Sequence, residues 1–244
     1  MKLLLLYAFP EEIKELLAAV GRAEEVHRLP FRAFRAFHPK HQLLVAETGL
    51  GIESARRVFC RMSEPDAPDG VISLGYCGAL SPDASVGDLV WASEVCLVER
   101  QKIHPLSLPD CSETFDKLAL GLPVRAATFL TMKEWMKKSE VARFITPEMK
   151  LPVCDMETFA LAQLSLRRNI PFHGIRAVSD GVDRELAFDP RDVCDGDGFY
   201  SAARALRLLL ARPRLIPHMM EMRRDSRIAS RNLARAVRAL VELL

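Results

Sequence analysis

Read as a pattern of apolar and polar positions, the chain alternates short buried strands with amphipathic helices. It opens with an apolar run from Leu3 to Tyr7. That run turns at Ala8 to Pro10 into a helix whose inner face is Ile13, Leu16 and Leu17. Phe31 to Phe37 and Gln42 to Glu47 predict two strands joined as a hairpin at His38, Pro39 and Lys40. Val71 to Leu74, Val86 to Ala92 and Val124 to Leu130 predict further strands. Leu97 to Pro123, polar and interrupted by prolines, reads as a surface loop. A helix over Thr158 to Arg168 is followed, after the Asn169 and Pro171 break, by an apolar strand from Phe172 to Val178 that ends on Ser179 and Asp180. A last helix pattern covers Gly198 to Ala211, and a Pro-bounded segment from 213 leads into a helical stripe of Leu233, Val237, Leu240, Val241 and Leu244.

The helix-then-strand return places a strand end beside the start of the preceding helix, where crevices of α/β sheets bind ligands. Glu157 and Asp180 are thereby predicted to face one pocket, and Glu11 and Glu12 stand at another such end. A purely structural account competes with this one. Asp155 would cap a helix, Glu157, Glu11 and Glu12 would favour first turns through the macrodipole, and Asp180 would cap a turn.

Composition narrows the alternatives. A chain of 244 residues with 49% hydrophobic residues can bury one large core, and a net charge of +2 argues against a nucleic-acid binder. The opening apolar run is too short for a membrane span, and Glu11 and Glu12 follow it at once, unlike a signal peptide; the expected location is cytoplasmic. The six cysteines lack CxxC pairs or zinc-like spacing to histidine, so reduced thiols are expected and neither a metal nor a cofactor is called for.

The segments CDMETFALA, from Cys154, and RAVSDGVD, from Arg176, resemble the two signature segments of the nucleoside phosphorylase and nucleosidase superfamily, especially its 5′-methylthioadenosine/S-adenosylhomocysteine nucleosidase branch. The resemblance continues in order over about residues 1 to 212. It implies a three-layer α/β/α sandwich around a mixed, strongly curved sheet; residues 213 to 244 depart from the compact nucleosidases and are read as a C-terminal amphipathic helical extension. It also implies hydrolysis of the N-glycosidic bond of a purine nucleoside and a homodimer. By the same resemblance Asp180 protonates the imidazole-ring nitrogen of the purine from a largely dry pocket. Glu157 holds the ribose hydroxyls and Glu12 activates the water. Met156 packs under the sugar, Trp135 stacks on the base, and Met136 reads the purine edge. Phe9 and Phe188 line the sugar or 5′ pocket. Gly49, Gly75, Tyr76, Cys77, Gly78, Asp155 and Ser179 complete the substrate surface. Asp155 stands where many members carry glutamate.

Ser73 and Tyr76 stand where the bacterial purine phosphorylases carry an arginine and a serine, and Glu11 and Glu12 stand where they place a phosphate-binding arginine. A phosphate dianion needs paired charge, so water is the expected nucleophile. A phosphate-dependent phosphorylase and a noncatalytic nucleoside-binding relative are the alternatives. From Arg212 onward eight arginines face three carboxylates, which allows peripheral contact with an anionic membrane through the last helix. The resemblance admits methylthioadenosine, adenosylhomocysteine, futalosine or a lipid-linked adenosylhopane as the substrate.

Overall fold

The computed structural model describes every residue except Gly21, Arg28 and Pro65, and the side chain of Val20. Its strands are β1 (Lys2–Tyr7), β2 (Ala23–Glu25), β3 (Ala33–Phe37), β4 (Gln42–Glu47), β5 (Gly70–Ala79), β6 (Leu89–Glu99), β7 (Lys102–Leu106), β8 (Val124–Met132), β9 (Val153–Asp155) and β10 (Phe172–Asp180). The helices are α1 (Pro10–Val20), α2 (Ile52–Met62), α3 (Ser112–Gly121), α4 (Lys138–Val141), α5 (Thr158–Arg167), α6 (Ala202–Ala211) and α7 (Ile216–Leu243).

All ten strands join one mixed sheet, with β5 parallel to β1 and β10 and antiparallel to β9. Because β10 pairs with both β5 and β6, the path β5, β9, β8, β6, β10 closes on itself. That closure accounts for the curvature. β1 shows how alternation builds the layers: Leu3, Leu5 and Tyr7 join the core under α1 and α7, while Leu4 and Leu6 join the core under α2 and α5. The arrangement is a helix–sheet–helix sandwich around a curved mixed sheet, as expected.

The stretch from Leu97 to Pro123 departs from its reading as a loop. β6 runs on to Glu99, pairs antiparallel with β7 from Val95↔Leu106 to Glu99↔Lys102, and α3 follows. The hairpin turn uses Arg100 and Gln101 at φ 46° and 62°, positions where Gly or Asn would have announced a turn. α3 buries little beyond Leu118, so its apolar stripe is faint. β5 also extends past Leu74 through its glycines, and α6 starts at Ala202 rather than Gly198, with Ser201 Oγ accepting from the Arg204 amide at 3.4 Å.

α7 packs into the main core. Ala229, Leu233, Ala236, Val237 and Leu240 are fully buried in the cluster that holds Leu5, Leu74 and Ile175. Its Arg224, Arg227, Arg231, Arg235 and Arg238 stay exposed. Among the described residues no helix is long and apolar enough to cross a membrane.

Candidate active site

Glu12 is delivered by the tight turn from β1 into α1, whose Glu12 amide donates to the Phe9 carbonyl at 3.0 Å. Its carboxylate is 4% exposed and held by three backbone amides: Ala8 at 2.7 Å and Phe9 at 3.0 Å on Oε2, and Tyr76 at 2.8 Å on Oε1. Gly75 is what lets β5 pass this close, since a Cβ there would stand 2.7 Å from Glu12 Oε1. Burial raises the pKa of Glu12 against the pull of these amides and of Arg176. A buried carboxylate rigidly aimed, with its pKa raised, has the properties of a general base.

Glu157 stands just ahead of α5 and accepts from the Gly51 amide, at the start of α2, at 2.7 Å. Burial first, and then the neighbouring charge of Asp155, push its pKa up to about 8. The folded chain therefore keeps a proton on Glu157 that the unfolded chain has lost. This stability is fully present below the ordinary carboxylate range and drains away as the pH rises toward about 8. Glu157→Gln has no such titration and can still accept from Gly51. Relative to wild type it is expected to gain at least about 1 kcal/mol, roughly 2–4 °C in melting temperature, between pH 5 and pH 8. A gap that stays constant across those two pH values would refute this.

Between the two glutamates lies a residue the sequence reading passed over. Arg176, only 2% exposed, donates from Nη2 to Asp155 Oδ2 at 3.1 Å, to Ser73 Oγ at 3.0 Å and to Thr158 Oγ1 at 2.9 Å. Asp155 also accepts from Thr131 Oγ1 at 2.7 Å and from the Thr158 amide at 3.2 Å, so the helix-capping account of it holds and an ion pair is added to it. The available signal was a lone charge inside the apolar strand IRAV, which demands a buried partner.

Asp180 closes the other side. β10 has a register irregularity between Val178 and Asp180, which sets Asp180 opposite Gly78 of β5. Ser179 Oγ donates to Asp180 Oδ1 at 2.5 Å and to the Cys77 carbonyl at 3.3 Å. The resemblance implies a largely dry pocket for this carboxylate, and the structure adds a buried cation beside it. Lys138, at the start of α4, is 7% exposed and forms an ion pair with Asp180 Oδ2. No pattern singled out Lys138, which follows Lys133 and Lys137 in a polar stretch.

Along β5, Glu12 sits at Gly75 and Tyr76 and Asp180 at Gly78, on the order of 10 Å apart at about 3.3 Å per residue. That separation leaves room for a ribose, a water and the near edge of a base. Met156, Trp135 and Met136 meet in one apolar cluster, and Phe9 packs against the cluster of Phe188, Val193 and Cys194; Leu50 touches both. Two sequence candidates serve differently. The Tyr76 hydroxyl donates to the carbonyls of Glu11 and Ser226, each at 3.1 Å, so only its amide faces the site. Gly49, at φ 69°, has no space for a Cβ, which would lie 2.8 Å from the Gly198 carbonyl oxygen, and thus seats one loop on another. A cavity of about 530 Å³ lined by Pro10, Phe31, Arg32, Glu47 and Tyr200 contains none of Glu12, Glu157 and Asp180.

A curved mixed sheet with buried acids from α1, β10 and the turn before α5 gathered beside the glycine-rich end of β5 defines an α/β protein with a carboxylate-lined site. The chain belongs to the Phosphorylase superfamily, whose sequence model matches residues 2–211. It is 23% identical over 209 residues to an aminodeoxyfutalosine nucleosidase of Campylobacter jejuni, covering 78% of this chain and 90% of that protein. It is 25% identical over 211 residues to a 5′-methylthioadenosine/S-adenosylhomocysteine nucleosidase of Psychromonas ingrahamii, with the same coverage. Among solved structures it is similar to the 5′-methylthioadenosine/S-adenosylhomocysteine nucleosidase of Campylobacter jejuni, with a TM-score of 0.74, 17% identity and full coverage of both chains. It is also similar to futalosine hydrolase of Helicobacter pylori, with a TM-score of 0.75, 15% identity, and coverage of 100% and 98%.

Proposed function

We propose that this chain is a purine nucleosidase that hydrolyses the N-glycosidic bond of a 5′-substituted adenosine-type nucleoside. The observation that carries the reading is the pair of acids flanking the glycine segment of β5, Glu12 held by three amides on one side and Asp180 on the other. Breaking the bond to a purine leaves an oxocarbenium-like sugar and a basic leaving group. Asp180 gives a proton to the imidazole-ring nitrogen as the bond to C1′ breaks. Glu12 takes a proton from the water that attacks C1′, and Glu157 accepts hydrogen bonds from the ribose hydroxyls. Met156 packs under the sugar, and Trp135 and Met136 border the base. Phe9, Leu50 and Phe188 offer the 5′ group an apolar wall, which suits a thioether or similar substituent such as the relatives' names describe.

Water is favoured over phosphate by charge. Two buried cations adjoin the glycine segment and both are already taken, the Arg176 guanidinium by Asp155, Ser73 and Thr158 and the Lys138 ammonium by the Asp180 carboxylate and the Asp180 and Gly181 carbonyls. The remaining groups there are carboxylates, which repel a dianion. Purine release in phosphate-free buffer is therefore expected, at a rate that added phosphate does not raise. Ribose 1-phosphate as the main product, with no turnover when phosphate is withdrawn, would instead make the chain a phosphorylase.

A homodimer in which the 97–123 region closes a neighbour's 5′ pocket belongs to the same reading. Membrane contact and an adenosylhopane substrate draw less support. The apolar stripe of α7 that would enter lipid is buried in the core, which leaves its arginines and the scattered exposed Ile216, Met220, Ile228 and Leu243 to meet a bilayer.

A further inference from the structure

Lys138 is a buried cation that the proposed chemistry leaves unused. Besides its ion pair with Asp180, Nζ donates to the Asp180 carbonyl at 3.1 Å and to the Gly181 carbonyl at 2.7 Å, so all three ammonium protons have an acceptor on the strand end that carries the acid. Gly78 makes the room: a Cβ there would stand 2.7 Å from Lys138 Cε and 3.1 Å from Asp180 Oδ2. The backbone under Lys138 is pinned independently. Glu185, on the loop after β10, accepts from the Lys138 amide at 2.9 Å and from the Ser139 amide at 3.0 Å. Two segments 42 residues apart in sequence are thus tied together twice around one carboxylate.

An ion pair that is merely structural wastes this placement, because burying two charges costs more than their attraction commonly returns. It also sits on the one acid that must hold a proton to do its work. We propose that Lys138 is the positioning residue for the general acid: it fixes the Asp180 carboxylate beside the base site and passes it the proton that the departing purine takes. The inference rests on Asp180 being that acid. As the C1′–N bond breaks, its electron pair goes to the purine and an N–H bond forms there at the expense of the Asp180 O–H. That O–H forms as an Nζ–H bond of Lys138 breaks, leaving a neutral amine. Glu12 meanwhile holds the proton of the attacking water, and exchange with solvent returns one proton to Lys138, so the cycle consumes one water and nothing else. Lysine suits such a task because its ammonium can release a proton within a protein, whereas a guanidinium does not.

The groups facing this pair are few. Cys77 and Cys154 come from β5 and β9, and burial pushes both thiols up, Cys154 to about 12. Glu185 is held below the ordinary carboxylate range by the amides and hydroxyl it caps and by the Lys138 charge, although burial opposes this. Asp155 and Arg176 lie beyond, paired with each other. Between pH 5 and pH 9 the thiols stay neutral and Glu185 stays charged, while the raised acids Glu157, at about 8, and Glu12 are common to wild type and variants, so it is the difference between their alkaline limbs that reports on the Lys138–Asp180 pair.

The test compares Lys138→Met, Lys138→Gln and Lys138→Arg with wild type and Asp180→Asn, measuring kcat/KM for methylthioadenosine from pH 5 to pH 9, with melting temperatures as a check on folding. In the Met and Gln variants Asp180 must carry its own proton. Their activity is expected within about tenfold of wild type at pH 5 and falling above it, with the alkaline limb moved at least one pH unit toward acid. Lys138→Arg keeps the charge but withholds the proton, and a loss of at least about 10²-fold at every pH is expected. Profiles of the Met and Gln variants parallel to wild type, or an arginine that restores activity better than methionine, would overturn the inference and leave Lys138 a structural cation. If Asp180→Asn keeps near-normal turnover, the general-acid reading itself fails; if Asp180→Asn is inactive while the Met and Gln profiles stay parallel to wild type, only the role of Lys138 fails.

Discussion

Asp180→Asn is expected to lower kcat/KM by ~10²- to 10⁴-fold, the usual worth of a general acid, and to lower the melting temperature as well, because the buried Lys138 ammonium loses its charge partner. The amide keeps the shape but has one oxygen for two donors, Ser179 Oγ and Lys138 Nζ, and no proton acidic enough to give to a purine. Glu12→Gln is expected to be comparably damaging for a different reason. The amide oxygen can still accept from some of the Ala8, Phe9 and Tyr76 amides, but its NH₂ group then faces a backbone donor in place of an acceptor, and the base is gone. Steady-state kinetics on methylthioadenosine and a purine-release assay check both. Near-normal turnover in both variants would leave the chain a nucleoside-binding member of its family whose buried acids serve the fold.

How far the sequence reached can be judged residue by residue. The β1-to-α1 turn and the return from α5 into β10 were legible because apolar periodicity switches abruptly there, and the acids stand at those switches. The convergence of Trp135, Met136 and Met156 came through the family resemblance, since periodicity alone carries no long-range contact. Three things were illegible for physical reasons. The hairpin between β6 and β7 uses left-handed Arg100 and Gln101, which give no turn signal, and Pro105 in an edge strand reads as a break. The closure of the sheet through β10 is a pairing between segments about 80 to 100 residues apart. Lys138 gained its role only when the loop after β10 folded over it, because its charge is ordinary in sequence and exceptional only once buried beside Asp180.

The boundary drawn at Arg212 leads to the other large effect. We propose that residues 213–244 are an integral part of the domain, and a chain ending at Arg212 is expected not to fold cooperatively. Truncation would strip Ala229, Leu233, Ala236, Val237 and Leu240 from the cluster under β1, β5 and β10 and expose that face of the sheet. Fully burying a Leu or Val contributes ~1.5–3 kcal/mol, so three such side chains amount to much of the 5–15 kcal/mol that holds a domain together. The loss reaches the site as well. α7 accepts the Tyr76 hydroxyl through the Ser226 carbonyl at 3.1 Å and donates from Ser230 Oγ to the Glu11 carbonyl at 3.1 Å, so it buttresses both the strand and the turn that hold Glu12. Point variants grade the effect: Leu233→Ala and Leu240→Ala should each cost about 2–5 kcal/mol, measurable by chemical denaturation, whereas Arg231→Ala on the exposed face should cost little. A chain ending at Arg212 that unfolds in a single sharp transition and keeps its turnover would show instead that α7 is an appended element, and would free its apolar stripe for a partner or a membrane.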